Sequence, residues 1–241
     1  MIGLLPPPAS LAPSSRSPEP ALRKRACIYF AYFSIHAPAG GVTAQIMKQG
    51  ELPQNQFNVA VGIAALIAPA LHSLTDVMEW SNGGFSTIQL WLNYVAFLPM
   101  PWLLLGLYAA HEPRPNIFGL IGALLYGAAF TYFAHTTLYA LTENVSTYEA
   151  LWSRLGDLYT FHGALMVLGG LMFAWSALRV GWLPGSALWL FAAGIIWNLL
   201  LALLPAPDIL QTIGSAARNI GLMAMGHAIL FRRQRTAANI V

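Results

Sequence analysis

From residue 57 to residue 231 the chain alternates long apolar runs with short polar connectors. The runs are Phe57 to Thr75, Thr87 to Ala110, Ile117 to Leu141, Leu158 to Leu178, Gly185 to Leu204 and Ile209 to Phe231. About 20 apolar residues carry a helix across a hydrocarbon core, and open backbone crosses lipid in no other form. The pattern therefore predicts an all-α polytopic transmembrane helix bundle with six spanning helices. Charged residues mark the ends of the runs: Asp76, Glu79, Glu112, Arg114, Glu143, Glu149, Arg154, Asp157, Arg179 and Asp208 lie in or beside connectors. Arg218 alone sits well inside a run.

Upstream the pattern changes. Residues 1–26 hold a cluster of prolines and serines between Pro6 and Pro20, a composition that cannot offset its ordering entropy, and are expected to form a disordered tail. An internal imitation of a signal peptide, Arg23-Lys24-Arg25 followed by an apolar stretch, is the minor alternative. Residues 27–56 contain an apolar segment, Cys27 to Ile46, flanked on both sides by basic residues and interrupted by Pro38 and Gly40-Gly41. That arrangement favours an N-terminal interfacial or re-entrant helix, with a seventh spanning helix as the alternative. Residues 232–241 form a basic tail.

Composition agrees with a bilayer protein. Of 241 residues, 57% are hydrophobic and 9% charged, against roughly 25% charged in soluble domains. The net charge of +3 is small and dispersed, so no nucleic-acid footprint exists. The single cysteine, Cys27, provides neither a disulfide nor a CxxC pair. Lys48, Arg114, Arg179, Arg232, Arg233 and Arg235 fall on one face of the six-helix set and Arg154 on the other. The charge rule makes the first face cytoplasmic, which implies a multi-pass protein of the plasma (inner) membrane with a cytoplasmic C-terminus.

Candidate chemistry follows from depth. Counted at 1.5 Å per residue, His72, His135 and His162 each lie roughly 5 to 10 Å inside the outer side of the membrane. Gln89, Asn93 and Asn198 occupy similar depths, and Gln211, Ser215 and Arg218 form a stripe on one face of the last helix. Asp76, one turn from His72, is placed to hold the imidazole tautomer. Tyr139 and Tyr159 line up with His135 and His162. The cytoplasmic halves are nearly free of polar groups, so the asymmetry predicts an outward-facing polar pocket over an apolar floor. A charge at bilayer depth costs at least ~2.5 kcal/mol, so Arg218 is expected to face the bundle with Asp76, Asp157 or an anionic ligand as partner. Gly214, Ala217, Gly221, Ala224 and Ala228 make a small-residue seam for close helix contact.

The stretch Tyr159 to Pro205, with His162-Gly163, Gly169-Gly170 and the phrase Arg179-Val180-Gly181-Trp182-Leu183-Pro184, resembles small six-helix bacterial membrane proteins of uncharacterised function. The resemblance implies a six-helix bundle in a bacterial plasma membrane and carries no activity.

Three functional classes stay open. One is a binding or transport protein holding a small anionic or amphiphilic ligand through Arg218, Asn198, Ser215, Asn93, Asp76, Tyr139 and Tyr159. Another is an accessory or assembly subunit that acts with a membrane-protein partner. The third is a metal or haem enzyme or redox subunit with His72, His135 and His162 as ligands, since imidazole suits transition metals and haem. No HExxH, GxSxG or P-loop motif occurs, so no reaction is assigned.

Overall fold

The computed structural model describes residues 54–110, 113–204 and 207–238. The expectations for residues 1–26 and for the segment from Cys27 to Ile46 lie outside them. Every regular element among the described residues is helical: α1 (Gln54–Asn82), α2 (Thr87–Phe97), α3 (Met100–Ala109), α4 (Ile117–Thr142), α5 (Tyr148–Leu155), α6 (Asp157–Val180), α7 (Gly185–Ala202) and α8 (Asp208–Ala238).

Local chemistry sets the boundaries. Ser86, Asn116 and Thr147 cap α2, α4 and α5, accepting from the backbone N–H of Gln89, Gly119 and Ala150, each satisfying a donor that the helix start leaves free. Pro99 and Pro101 lack the N–H that would continue α2, so the second span is divided into α2 and α3. Pro69 lies inside α1, which continues through it. Gly181 ends α6 in the left-handed conformation favoured for glycine there.

Five spans, 56–82, 87–109, 117–142, 157–180 and 185–202, are long and apolar enough to cross a membrane, so the protein is a multi-pass membrane protein. The sixth expected run is helical throughout, within α8, and less apolar because its N-terminal half carries Asp208, Gln211, Thr212, Ser215, Arg218 and Asn219. These polar positions do not stop α8 from lying antiparallel to two spanning neighbours. Against α1, Asn219 bonds Ser73 at 3.0 Å while Gly226 meets Ala65 and Leu230 meets Gly62. Against α7, the indole of Trp197 donates to the Leu210 carbonyl and Gly221 meets Phe191.

Between lipid-facing helices no hydrophobic effect drives association, so small residues and dispersion must do so. Gly122 on α4 and Gly169 on α6 face each other so closely that a Cβ on either would lie 2.7 Å from the other's carbonyl oxygen. Gly194 on α7 packs directly on the α8 backbone at Gly214 and Arg218. Within the expected seam, Gly214 and Gly221 do face α7, whereas the close contact with α1 is made by Gly226. The buried core below the polar region is aromatic and aliphatic, with Tyr126, Phe130, Phe173, Phe191, Leu104 and Leu222 fully enclosed. Ile88, Trp102, Trp175, Trp189 and Ile213 project outward and exposed; such an apolar surface belongs in lipid.

At the end of the bundle where α1, α4 and α7 finish, the short helix α5 interrupts the connector expected between the third and fourth spans. Its Leu151 joins Leu90, Ala140 and Val145 in a second apolar cluster. Gly84 and Phe85 bring the α1–α2 turn against this connector: Phe85 N–H donates to the Ser146 carbonyl at 2.7 Å. Gly84 has φ +152°, and any Cβ there would lie 2.5 Å from the same oxygen. Two loops distant in sequence thus form one cap.

Candidate functional site

Beneath that cap lies a cavity of about 270 Å³, just below the roughly 300–1,000 Å³ of drug-sized ligand pockets. Its polar wall includes His72, Asp76, Asn93, His162, Ser215 and Arg218, and its apolar wall Phe97, Phe130, Phe133, Met166, Trp152 and Tyr159.

Arg218 is the centre of the polar wall, with 3% of its surface exposed. Its Nη2 donates to Nε2 of His72 at 2.9 Å, and its Nη1 to the thioether sulfur of Met166 at 3.1 Å. The guanidinium carbon lies 5.9 Å over the Phe130 ring. Nε–H has no partner, and Arg218 makes no ion pair among the described residues. The expected direct partners Asp76 and Asp157 are thus replaced by a neutral imidazole and a sulfur; Asp157 is exposed at the start of α6.

A guanidinium only donates. His72 Nε2 must therefore accept, which places the ring proton on Nδ1. That proton faces the Asn93 side-chain oxygen at 3.1 Å and Asp76 Oδ1 at 3.5 Å. Asn93, rather than Asp76, makes the shorter contact, and Asp76 stands behind it. The Thr75 hydroxyl braces the group, 2.7 Å from the His72 carbonyl and 3.1 Å from the Asn93 oxygen. The array ties α1 to α2, α6 and α8.

His162 is fully buried on α6. Its Nδ1 donates to the Leu158 carbonyl at 2.9 Å, and its Nε2 is without a partner. Tyr159 packs edge-on to this ring at 4.7 Å between centroids and Phe133 at 4.3 Å. Asp76 Oδ2 is likewise unpartnered.

The remaining sequence candidates divide. Asn198 and Ser215 line the cavity and also bond each other at 3.1 Å. The amide orientation that satisfies both ends has Oδ1 accepting from Ser215 N and Oγ and Nδ2 donating to the Gln211 carbonyl at 3.1 Å. Gly214 leaves room for that approach, since a Cβ there would collide with the Asn198 amide. Asn198 thus clamps α7 to α8. Tyr139 packs in the cap cluster, outside the cavity lining. Gln89 is buried with neither amide atom bonded.

His135 is exposed, while Thr136 and Thr137 beside it turn inward. The three histidines therefore do not converge. Among the described residues no group of three or more His, Cys, Asp or Glu side chains is placed to hold a metal ion. His72 Nε2, moreover, faces a guanidinium, and a cation cannot share that lone pair. Thr75 and Met166 were not singled out by sequence. Thr75 stands one turn from His72, a usable signal, whereas an apolar methionine on an apolar helix gives none.

A second cavity of about 360 Å³ shares Asp76, Tyr148, Asp208, Gln211 and Ser215 with the first and reaches the loop end through Glu79, Gly83 and Glu149.

Compared with protein-family models, with curated proteins and with solved structures, the chain matches none, so any functional reading rests on the geometry of this cavity.

Proposed function

We propose that this is a binding or transport-type protein of the plasma membrane whose cavity holds a small anionic or amphiphilic ligand against Arg218. The observation that carries this reading is a buried guanidinium in the cavity wall whose Nε–H has no partner and which makes no ion pair with a carboxylate among the described residues. An unsatisfied donor on a charged group costs several kcal/mol in a medium of low dielectric. A ligand oxygen offsets that cost. The aromatic wall supplies the apolar half of an amphiphile's environment.

The polar stripe of α8 supports the same reading, because Arg218, Ser215 and Gln211 turn toward the cavity instead of toward lipid. In this reading the cavity opens outward and the C-terminus is cytoplasmic, since Arg114 and Arg179 lie at the opposite end of the bundle from Arg154.

The test is thermal unfolding and titration calorimetry in lipid nanodiscs with decanoate, 3-phenylpropionate and L-phenylalanine as probes. At least one should raise the melting temperature by mass action, with affinity lost at least tenfold in Arg218→Gln. No binding by any probe, or equal binding by the variant, overturns the proposal.

A further inference from the structure

The cavity has two polar layers. α1 runs toward the capped end and α6 and α8 run away from it. One turn outward from His72, Met166 and Arg218 therefore stand Asp76, His162 and Ser215. The inner layer offers a donor, since Arg218 Nε–H is unpartnered and an arginine does not deprotonate. In the outer layer His162 spends its Nδ1 proton on the Leu158 carbonyl, so Nε2 of the neutral ring is a bare acceptor, and Asp76 Oδ2 is a second. A molecule that satisfies both layers accepts at the lower one and donates at the upper one, the residues of the two layers standing one helical turn apart along their helices.

Charge narrows the class. A plain carboxylate against Arg218 leaves Asp76 facing a second anion, and a plain amine against Asp76 leaves Arg218 facing a cation. An isolated buried charge is costly and a paired one is not. A zwitterion laid antiparallel to the Arg218–Asp76 axis pairs both. The approach agrees: among the described residues the second cavity is lined by Glu79, Glu149 and Asp208 and by no lysine or arginine. A mouth of one sign attracts the opposite charge, so of the ligands that bring a carboxylate to Arg218, one that also carries an ammonium group enters more readily.

Resting on the ligand-binding reading above, we infer that the ligand is a zwitterion of the α-amino-acid class with an apolar side chain. Its carboxylate meets Arg218 Nε–H, its ammonium sits between Asp76 Oδ2 and His162 Nε2, and its side chain lies on Phe97, Phe130 and Phe133.

The experiment uses matched probes on the full chain in nanodiscs: L-phenylalanine, L-leucine and L-methionine, then 3-phenylpropionate and 2-phenylethylamine, which lack the ammonium and the carboxylate of phenylalanine respectively. At least one amino acid should bind, and both one-charge analogues should be at least 100-fold weaker than phenylalanine or undetectable. Asp76→Asn should weaken the amino acid at least tenfold. Gly163→Leu supplies a variant that leaves Arg218 and Asp76 in place: Gly163 lines the cavity, and a Cβ there meets nothing within 4 Å. It should abolish binding while keeping the melting temperature. Arg218-dependent binding of decanoate or 3-phenylpropionate with none by the amino acids overturns the zwitterion and spares the broader reading. Binding of 2-phenylethylamine as tight as that of phenylalanine, or unchanged binding in Gly163→Leu, also overturns it. No binding by any probe overturns both.

Discussion

The guanidinium of Arg218 and the imidazole of His72, 146 positions apart in the chain, meet at 2.9 Å. A cation buried at this depth usually finds a carboxylate. Here it finds a neutral ring whose other nitrogen faces Asn93 and, at 3.5 Å, Asp76. The imidazole thus stands between Arg218 and Asp76, holding the two apart and leaving one unpartnered polar atom on each in residues of the cavity wall.

That relationship makes His72 a positioning residue. His72→Ala leaves Nη2 of Arg218 without a partner and the Asn93 oxygen with Thr75 alone, and should destabilise the protein by roughly 2–3 kcal/mol, the range for hydrogen bonds to charged groups. His72→Gln, whose amide oxygen can still accept, should recover part of it. Thermal unfolding of both variants in one detergent decides the matter: equal melting temperatures for Ala, Gln and the parent would show that the bond carries no stability. Nitrogen NMR of labelled histidine gives a second readout, which should report the proton on Nδ1.

Asn198 was a ligand candidate by depth, and its bonds to Ser215 and the Gln211 carbonyl make it an interhelix clamp. Asn198→Ala should lower stability by about 1–2 kcal/mol and change amino-acid binding by less than threefold. A large loss of affinity at unchanged stability would return Asn198 to the ligand.

What the sequence made legible, and what it did not, divides along a physical line. Spanning segments are long averages, so α4 (Ile117–Thr142) and α7 (Gly185–Ala202) nearly coincide with the runs read from hydropathy. Arg218 was legible because one charge in an apolar run has only one tolerable direction to face. On α4 that constraint is missing: the helix is apolar nearly all round, and nothing in its pattern says that Thr136 and Thr137 face inward and His135 outward. Helix α5 escaped because eight residues with a charge near each end look like connector. The Asn93 contact with His72 depends on the rotation of two helices about their axes, which spacing within either helix does not encode.

His135 and His162 therefore predict opposite outcomes for the same substitution. His135→Ala at an exposed position should stay within about 0.5 kcal/mol of the parent and leave ligand binding intact. His162→Ala empties a fully buried site against Phe133 and Tyr159 and removes an acceptor from the cavity. It should cost about 2 kcal/mol or more and weaken amino-acid binding at least tenfold. Parallel losses in the two variants would contradict the exposed placement of His135.

Sidedness is tested by single cysteines in a Cys27→Ser background. Glu149→Cys lies on α5 at the capped end and Pro113→Cys in the connector before α4, both exposed. A membrane-impermeant maleimide should label the first in intact cells and the second only after permeabilisation. The reverse pattern would turn the cavity mouth toward the cytoplasm.

Two glycines six residues apart on α6 provide the sharpest test of packing, because the same added methyl meets opposite surroundings. At Gly169 a Cβ would lie 2.5 Å from the Tyr126 backbone nitrogen and 2.7 Å from the Gly122 carbonyl oxygen. Backbone cannot give way as a flexible side chain does, so α4 and α6 must separate. Gly169→Ala should cost about 1–3 kcal/mol, the range for overpacking, and should perturb the cavity, since Tyr126 and Phe130 lie on the displaced helix. At Gly163 the methyl meets nothing within 4 Å, and alanine favours helix over glycine by up to about 1 kcal/mol. Gly163→Ala should therefore be neutral to slightly stabilising. The sign difference between the two melting temperatures is the observable. If both fall together, the contact of α4 with α6 at Gly122 and Gly169 is not what holds those helices, and the depth assigned to the cavity floor beside it falls as well.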